Sequence, residues 1–301
     1  MQYLKLVYEN DFDGLVEEIE EMKEYFRCKG INIGISESME EKTHFINISF
    51  DGDSLNEKAV NIFNLHISNI LYKALVEEFN EKYITEFITE TYFFLSLDEL
   101  KEIRHISINV FKDDGPAIND NSIFYINSKN EIIKKILECV ENKEEVNISG
   151  FLTFRMKVLR SGLEKIIDKV VEEYLIEKEY NEFIKLLKYF VEIQDSKIDM
   201  LNILIKDDGS YGVLDKEGKD IMEDFVKDFM DSRISGSINM EDILISGLIT
   251  YCPEQIIIHG DKNCKNNEIL NTIKNVFINR VYFCEECKMC TDLRNKSDVK
   301  R

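Results

Sequence analysis

Ile256-Ile257-Ile258-His259 and Val281-Tyr282-Phe283-Cys284 are two short apolar runs, each ending on a side chain able to ligate a metal. Between them, Asn267 to Phe277 carries apolar residues at helical spacing, so the segment reads as strand, helix, strand. A helical connection of that kind joins parallel strands, because a two-residue hairpin joins only antiparallel ones. Ligand sites in parallel sheets collect beyond the carboxyl ends of the strands. His259 leaves the first strand at that edge and Cys284 leaves the second, with Cys264 in the connection.

Cys284, Cys287 and Cys290 follow one another at C-x2-C-x2-C spacing, which concentrates three of the 7 cysteines in one turn-sized stretch. Thiolates that close can share a metal ion. A tetrahedral zinc site needs four ligands, and the fourth is offered by Cys264 or His259. Cys252, before Pro253, lies at the opposite end of its strand. Zinc is the expected ion. A ferredoxin-type iron–sulfur run would need a further cysteine three residues on, followed by proline, whereas Cys290 is followed by Thr291-Asp292-Leu293-Arg294. Two other readings stay open: reduced, inert thiols in a polar tail, and a redox dithiol formed by Cys284 and Cys287. Glu285 and Glu286 count against the second, because neighbouring carboxylates disfavour a thiolate.

Working towards the N-terminus, Met200, Ile203 and Ile205, then Asp207-Asp208-Gly209-Ser210, then Tyr211, Val213 and Leu214 form a hairpin signal. Helices are expected at 218–232 and 240–250. Asn147 to Gly150 is a helix start, opening a helical region that runs to about Gln194 with a break near Ser161-Gly162. Ser96 with Glu99, and Ser128 with Glu131, have the form of capping boxes. Lys112 to Asn121, with Asp113-Asp114-Gly115-Pro116, marks a loop. Leu65, Leu71, Leu75 and Phe79 read as one buried helical stripe, and the aromatic run from Tyr83 to Phe94 as core. Residues 1–50 read as β-α-β-β, with Leu15, Ile19, Met22 and Phe26 on the helix, Gly30 ending it, and Glu37 to Lys42 as the turn between the last two strands. The expected fold is α+β or mixed α/β: a small α/β unit over 1–52, a helical region over 53–196, a C-terminal hairpin and βαβ unit over 197–291, and a polar tail over 292–301.

The formal charge is −20, from 58 acidic and 38 basic residues. Nucleic-acid binding rests on cationic neutralisation of phosphates, so no nucleic-acid partner is expected. No run reaches the ~20 apolar residues of a membrane span, and the first residues turn acidic before a signal-peptide core could form, so a cytoplasmic location is expected. Unpaired-looking cysteines fit the same reducing compartment. His44, His66 and His105 sit in no metal or catalytic pattern, and no phosphate-binding loop or nucleophile elbow occurs. Glu172, Glu173, Glu177 and Glu179 read as a solvated helix face, and Arg155, Lys157 and Arg160 as partners for the chain's own carboxylates. No catalytic residue is assigned.

Gly150-Phe-Leu-Thr-Phe-Arg-Met-Lys157, the helix from Val170 to Val191, and Ile245 to His259 carry a likeness of sequence. Together with the aromatic run at 92–94, they resemble the YtxC-like sporulation proteins of endospore-forming Firmicutes over roughly residues 55–283. The resemblance implies a cytosolic, sporulation-associated protein and carries no catalytic residue with it. The function expected is therefore non-enzymatic, exerted through a protein partner, with the cysteine cluster as a metal clip. A metal- or thiol-dependent enzyme centred on the same cluster is the alternative.

Overall fold

In a computed structural model of the 301-residue chain, the described residues are 2–9, 14–50, 57–112, 122–141, 143–231, 239–285, 287 and 290. The protein is mixed α and β, and it divides into two compact units, Met1–Leu175 and Ile176–Arg301. Apart from Lys112, the loop expected over Lys112 to Asn121 and the polar tail over 292–301 lie outside the described residues.

The first unit opens with β1 (Gln2–Tyr8), α1 (Leu15–Cys28), β2 (Ile33–Glu40) and β3 (Thr43–Phe50). Leu15, Ile19, Met22 and Phe26 are the buried face of α1, at the expected spacing. The β2–β3 hairpin turns only at Glu41 and Lys42, because pairing continues through Ser38↔Phe45 and Glu40↔Thr43. The expected turn from Glu37 was too wide, since this part of β2 faces solvent and carries no apolar alternation.

Next come α2 (Glu57–Lys82), α3 (Ile84–Thr91), α4 (Leu97–Phe111), α5 (Ser122–Val140), β4 (Glu145–Asn147) and α6 (Ile148–Ile193). Leu71, Leu75 and Phe79 are buried in α2, but Leu65 is exposed, being six residues from Leu71 and off the helical period; Phe63 and Ile67 fill the stripe instead. The aromatic run is split. Tyr83, Phe87 and Tyr92 pack on the core, whereas Phe93 and Phe94 are exposed, because α3 ends at Thr91 and the helical period ends with it. Ser96 and Glu99 do form a capping box on α4. Ser128 does not cap anything: α5 is already helical from Ser122.

Asn147 Oδ1 accepts from the Gly150 N–H at 2.7 Å and starts α6, which runs unbroken through Gly162. Gly162 is an approach point, where a Cβ would stand 2.7 Å from Ile132 Cγ1 of α5. Arg160 of this helix pairs with Glu164 at 2.5 Å and lies over the Tyr83 ring, consistent with a cation serving the chain's own surface. β4 pairs parallel to β1, giving the sheet order β2-β3-β1-β4. One core cluster runs from Leu4 to Val171, so the β-α-β-β start and the helices after it share their interior.

The second unit takes the end of α6 and adds β5 (Met200–Ile205), β6 (Tyr211–Asp215), α7 (Met222–Asp231), α8 (Met240–Tyr251), β7 (Gln255–His259), α9 (Asn267–Val276) and β8 (Val281–Phe283). The sheet order is β6-β5-β7-β8, with β5 antiparallel to β6 and parallel to β7, and β7 parallel to β8. The hairpin and the parallel βαβ unit thus form as the sequence indicates. Leu201, Ile203, Ile205, Val213, Ile256 and Ile258 share one sheet face, packed with apolar residues of α6, α7, α8 and α9. Among the described residues, no helix is long and apolar enough to cross a membrane.

Candidate metal centre

Strand alternation decides which side chains meet on the other face of this sheet. Ile203 pairs with Ile258, and Ile258 with Phe283, towards the helices. The next residues, His259 and Cys284, therefore project to the opposite side at the carboxyl ends of neighbouring strands. The ladder continues there, with the Cys284 N–H donating to the Ile258 carbonyl at 2.9 Å. Gly260, directly after His259, has φ 72°, and a Cβ there would lie 2.4 Å from the Ile205 carbonyl oxygen. Only glycine lets the chain leave β7 so close to β5.

Cys284, Cys287 and Cys290 return over this edge. Their sulfurs and the His259 ring offer four ligand atoms within 4.8 Å of one another, a group that could hold one metal ion. Cys284 and Cys287 Sγ each lie 3.8 Å from Cys290 Sγ. His259 Nδ1 lies 3.3 Å from Cys290 Sγ and 3.5 Å from Cys287 Sγ. Burial pushes the Cys290 thiol up to about 11, with the adjacent Cys284 and Cys287 adding to the rise, and burial lowers His259 below its ordinary value. A metal bound here would displace protons from the thiols.

The orientation of the imidazole is set by Asn202 of β5, buried at 5% exposure. Its Nδ2 donates to the Asp215 carbonyl at 3.2 Å, which turns Oδ1 towards His259 Nε2 at 3.1 Å. Nε2 then carries the proton, and the Nδ1 lone pair faces the three sulfurs. Sequence reasoning did not single out Asn202, although one signal exists: it is the lone amide in the otherwise apolar run Met200-Leu-Asn-Ile-Leu-Ile205.

Cys264 is not part of this group. Its thiol donates to the Asn266 carbonyl at 3.0 Å and lies 3.7 Å from the Tyr211 hydroxyl. Cys252 is buried at the far end of β7, as the sequence placed it, with its sulfur 3.4 Å from the Val191 carbonyl. His44 stacks on Tyr8 in the first sheet.

The sequence matches the YtxC-like family over residues 65–282, more than two thirds of the chain. The chain belongs to the YtxC-like family. It is 24% identical over 214 residues to a Bacillus subtilis (strain 168) protein named "Uncharacterized protein YtxC", covering 70% of this chain and 74% of that one. No solved structure matches. The family match includes Asn202 and His259 and stops two residues before Cys284, so the three thiols lie beyond it.

Proposed function

We propose that this chain is a cytosolic, sporulation-associated protein that acts through protein partners and carries one structural zinc ion on Cys284, Cys287, Cys290 and His259. Family membership supports the biological setting, through the resemblance to sporulation proteins. The observation that carries the chemistry is the closed set of three cysteine sulfurs and one imidazole nitrogen. A tetrahedron built with Zn–S of about 2.3 Å and Zn–N of about 2.0 Å has sulfur–sulfur edges of about 3.8 Å and sulfur–nitrogen edges of about 3.5 Å. Two sulfur–sulfur separations of 3.8 Å and two nitrogen–sulfur separations of 3.3 and 3.5 Å fit those edges. Catalytic zinc keeps only three protein ligands and an open position for water or substrate, whereas structural zinc fills all four. A fourth protein ligand at this distance therefore favours a clip over an enzyme. The clip would fasten the chain beyond β8 to the carboxyl edge of β7.

Metal analysis of the purified full-length protein tests this directly, with about one zinc per chain expected. Removing the ion with a chelator, or replacing Cys287→Ser, should lower the melting temperature by on the order of 10 °C, as loss of a tightly bound ligand does. Neither zinc nor iron near stoichiometry would end the metal assignment. Iron in place of zinc would overturn the identity of the ion.

A further inference from the structure

The last turns of α6 are unusually apolar on their exposed side. Tyr180, Phe183 and Phe190 are 37%, 49% and 38% exposed, and they share a stripe with buried Leu187. These four residues run 180, 183, 187, 190, the spacing of one helix face, and cover about 15 Å at 1.5 Å per residue. Facing them across a groove of about 510 Å³ are Ile245 and Ile249 of α8. Exposed apolar side chains aligned along one helix face beside a groove have the form of an interaction site.

The charge of the groove is one-sided. Glu241 and Asp242, in the first turn of α8, and Glu268, in the first turn of α9, line it, and no lysine or arginine does. Among the described residues none of the three carboxylates is ion-paired. Glu241 is instead held in place by neutral donors, the Tyr211 hydroxyl at 3.2 Å and Asn266 Nδ2 at 2.8 Å. Its charge is thus oriented but uncompensated. A whole-chain charge of −20 reinforces the bias against an acidic occupant.

We infer that this groove, between the end of α6 and helices α8 and α9, receives a basic amphipathic helix of a partner protein. Its apolar anchors at i, i+3 or i+4, and i+7 would lie along the Tyr180–Phe190 stripe, with flanking lysines or arginines on Glu241, Asp242 and Glu268. Three turns of helix match the length of the stripe, and helix-in-groove recognition uses this anchor spacing. The inference rests on the proposal that the chain acts through partners, and supplies the class of partner.

The probes are two 14-residue peptides with leucines on one helical face and either lysines or glutamates elsewhere. Binding to the full chain is followed by fluorescence anisotropy at about 0.15 M salt, where screening beyond about 8 Å suppresses long-range attraction. The lysine peptide should bind and the glutamate peptide should not. Phe183→Asp, and separately Asp242→Lys with Glu268→Lys, should each weaken the lysine peptide by about tenfold or more, as loss of an interface anchor does. These side chains are exposed, and an unchanged melting temperature confirms that the variants fold. Reversing Glu17 and Glu21 of α1 to lysine should leave binding unaltered. Equal weakening by the α1 reversals would reduce the effect to net charge and overturn the inference. So would a dimer that Phe183→Asp dissociates, since the occupant would then be a second copy. A sporulation partner that binds wild type and Phe183→Asp equally would sink this groove while leaving the partner-based function standing.

Discussion

Asn202 fixes which nitrogen of His259 faces the thiols, and the way it does so can be tested. Its amide is oriented by the Asp215 carbonyl, and its Oδ1 fixes the proton on His259 Nε2. Replacing Asn202→Leu removes that acceptor from a buried position, and loss of such an outer partner typically weakens metal binding by about 10- to 100-fold. Asn202→Asp keeps an acceptor oxygen for Nε2 but sets its other oxygen against the Asp215 carbonyl, so it should recover only part of the loss. Competition against a chromophoric chelator measures both, and equal affinity for Asn202→Leu would deny the amide any orienting role. Gly260→Ala should also weaken the site, because the new methyl would meet the Ile205 carbonyl at 2.4 Å on a backbone with φ 72°. At this scale the three cysteines were legible, since their spacing is local. The choice between His259 and Cys264 was not, because it depends on where two loops lie in space. Cys264 turns out to be engaged with Asn266 and Tyr211, away from the cluster.

Helix and strand boundaries show a similar division between local and distant causes. The Ser96–Glu99 box was readable because both partners lie within one turn, with the Ser96 N–H donating to Glu99 Oε2 at 2.7 Å. Ser96→Ala should cost about 1 kcal/mol, read as a lowered denaturation midpoint for the first unit. Ser128 has the same local pattern without the cap, because α5 already begins at Ser122 and Tyr125, ahead of Ser128, packs against the core. β4 escaped notice because three residues, Glu145-Val146-Asn147, hold one apolar side chain and owe their strand to pairing with Lys5, Leu6 and Val7. Gly162 reads locally as a helix breaker, yet its role is contact. Gly162→Ala gains up to about 1 kcal/mol of helix propensity, while overpacking against Ile132 costs about 1–3 kcal/mol, so a small net loss is expected. In the Gly162→Ala, Ile132→Ala double variant the clash disappears, and the loss should be smaller than the sum of the singles. Strict additivity in chemical denaturation would deny the α5–α6 contact.

Across the whole molecule, the two units hold separate cores, one from Leu4 to Val171 and one from Ile184 to Phe277. Every ligand of the candidate metal centre belongs to the second. A clip that fastens β8 and the residues after it to β7 should therefore act locally, because stability is distributed unevenly and segments open in cooperative groups. Hydrogen exchange on the full chain with and without chelator reads this out. Removing the ion should raise exchange at the carboxyl ends of β7 and β8, where Cys284 N–H bonds to the Ile258 carbonyl and His259 to Asn202. The first sheet has no ligand in the cluster, so exchange in Leu4 to Tyr8 and Phe45 to Phe50 should stay unchanged. Faster exchange in both sheets at once would mean that the ion holds the chain as a single cooperative whole. No change in either would mean that the four side chains meet without needing a metal, and the structural role would have to be given up.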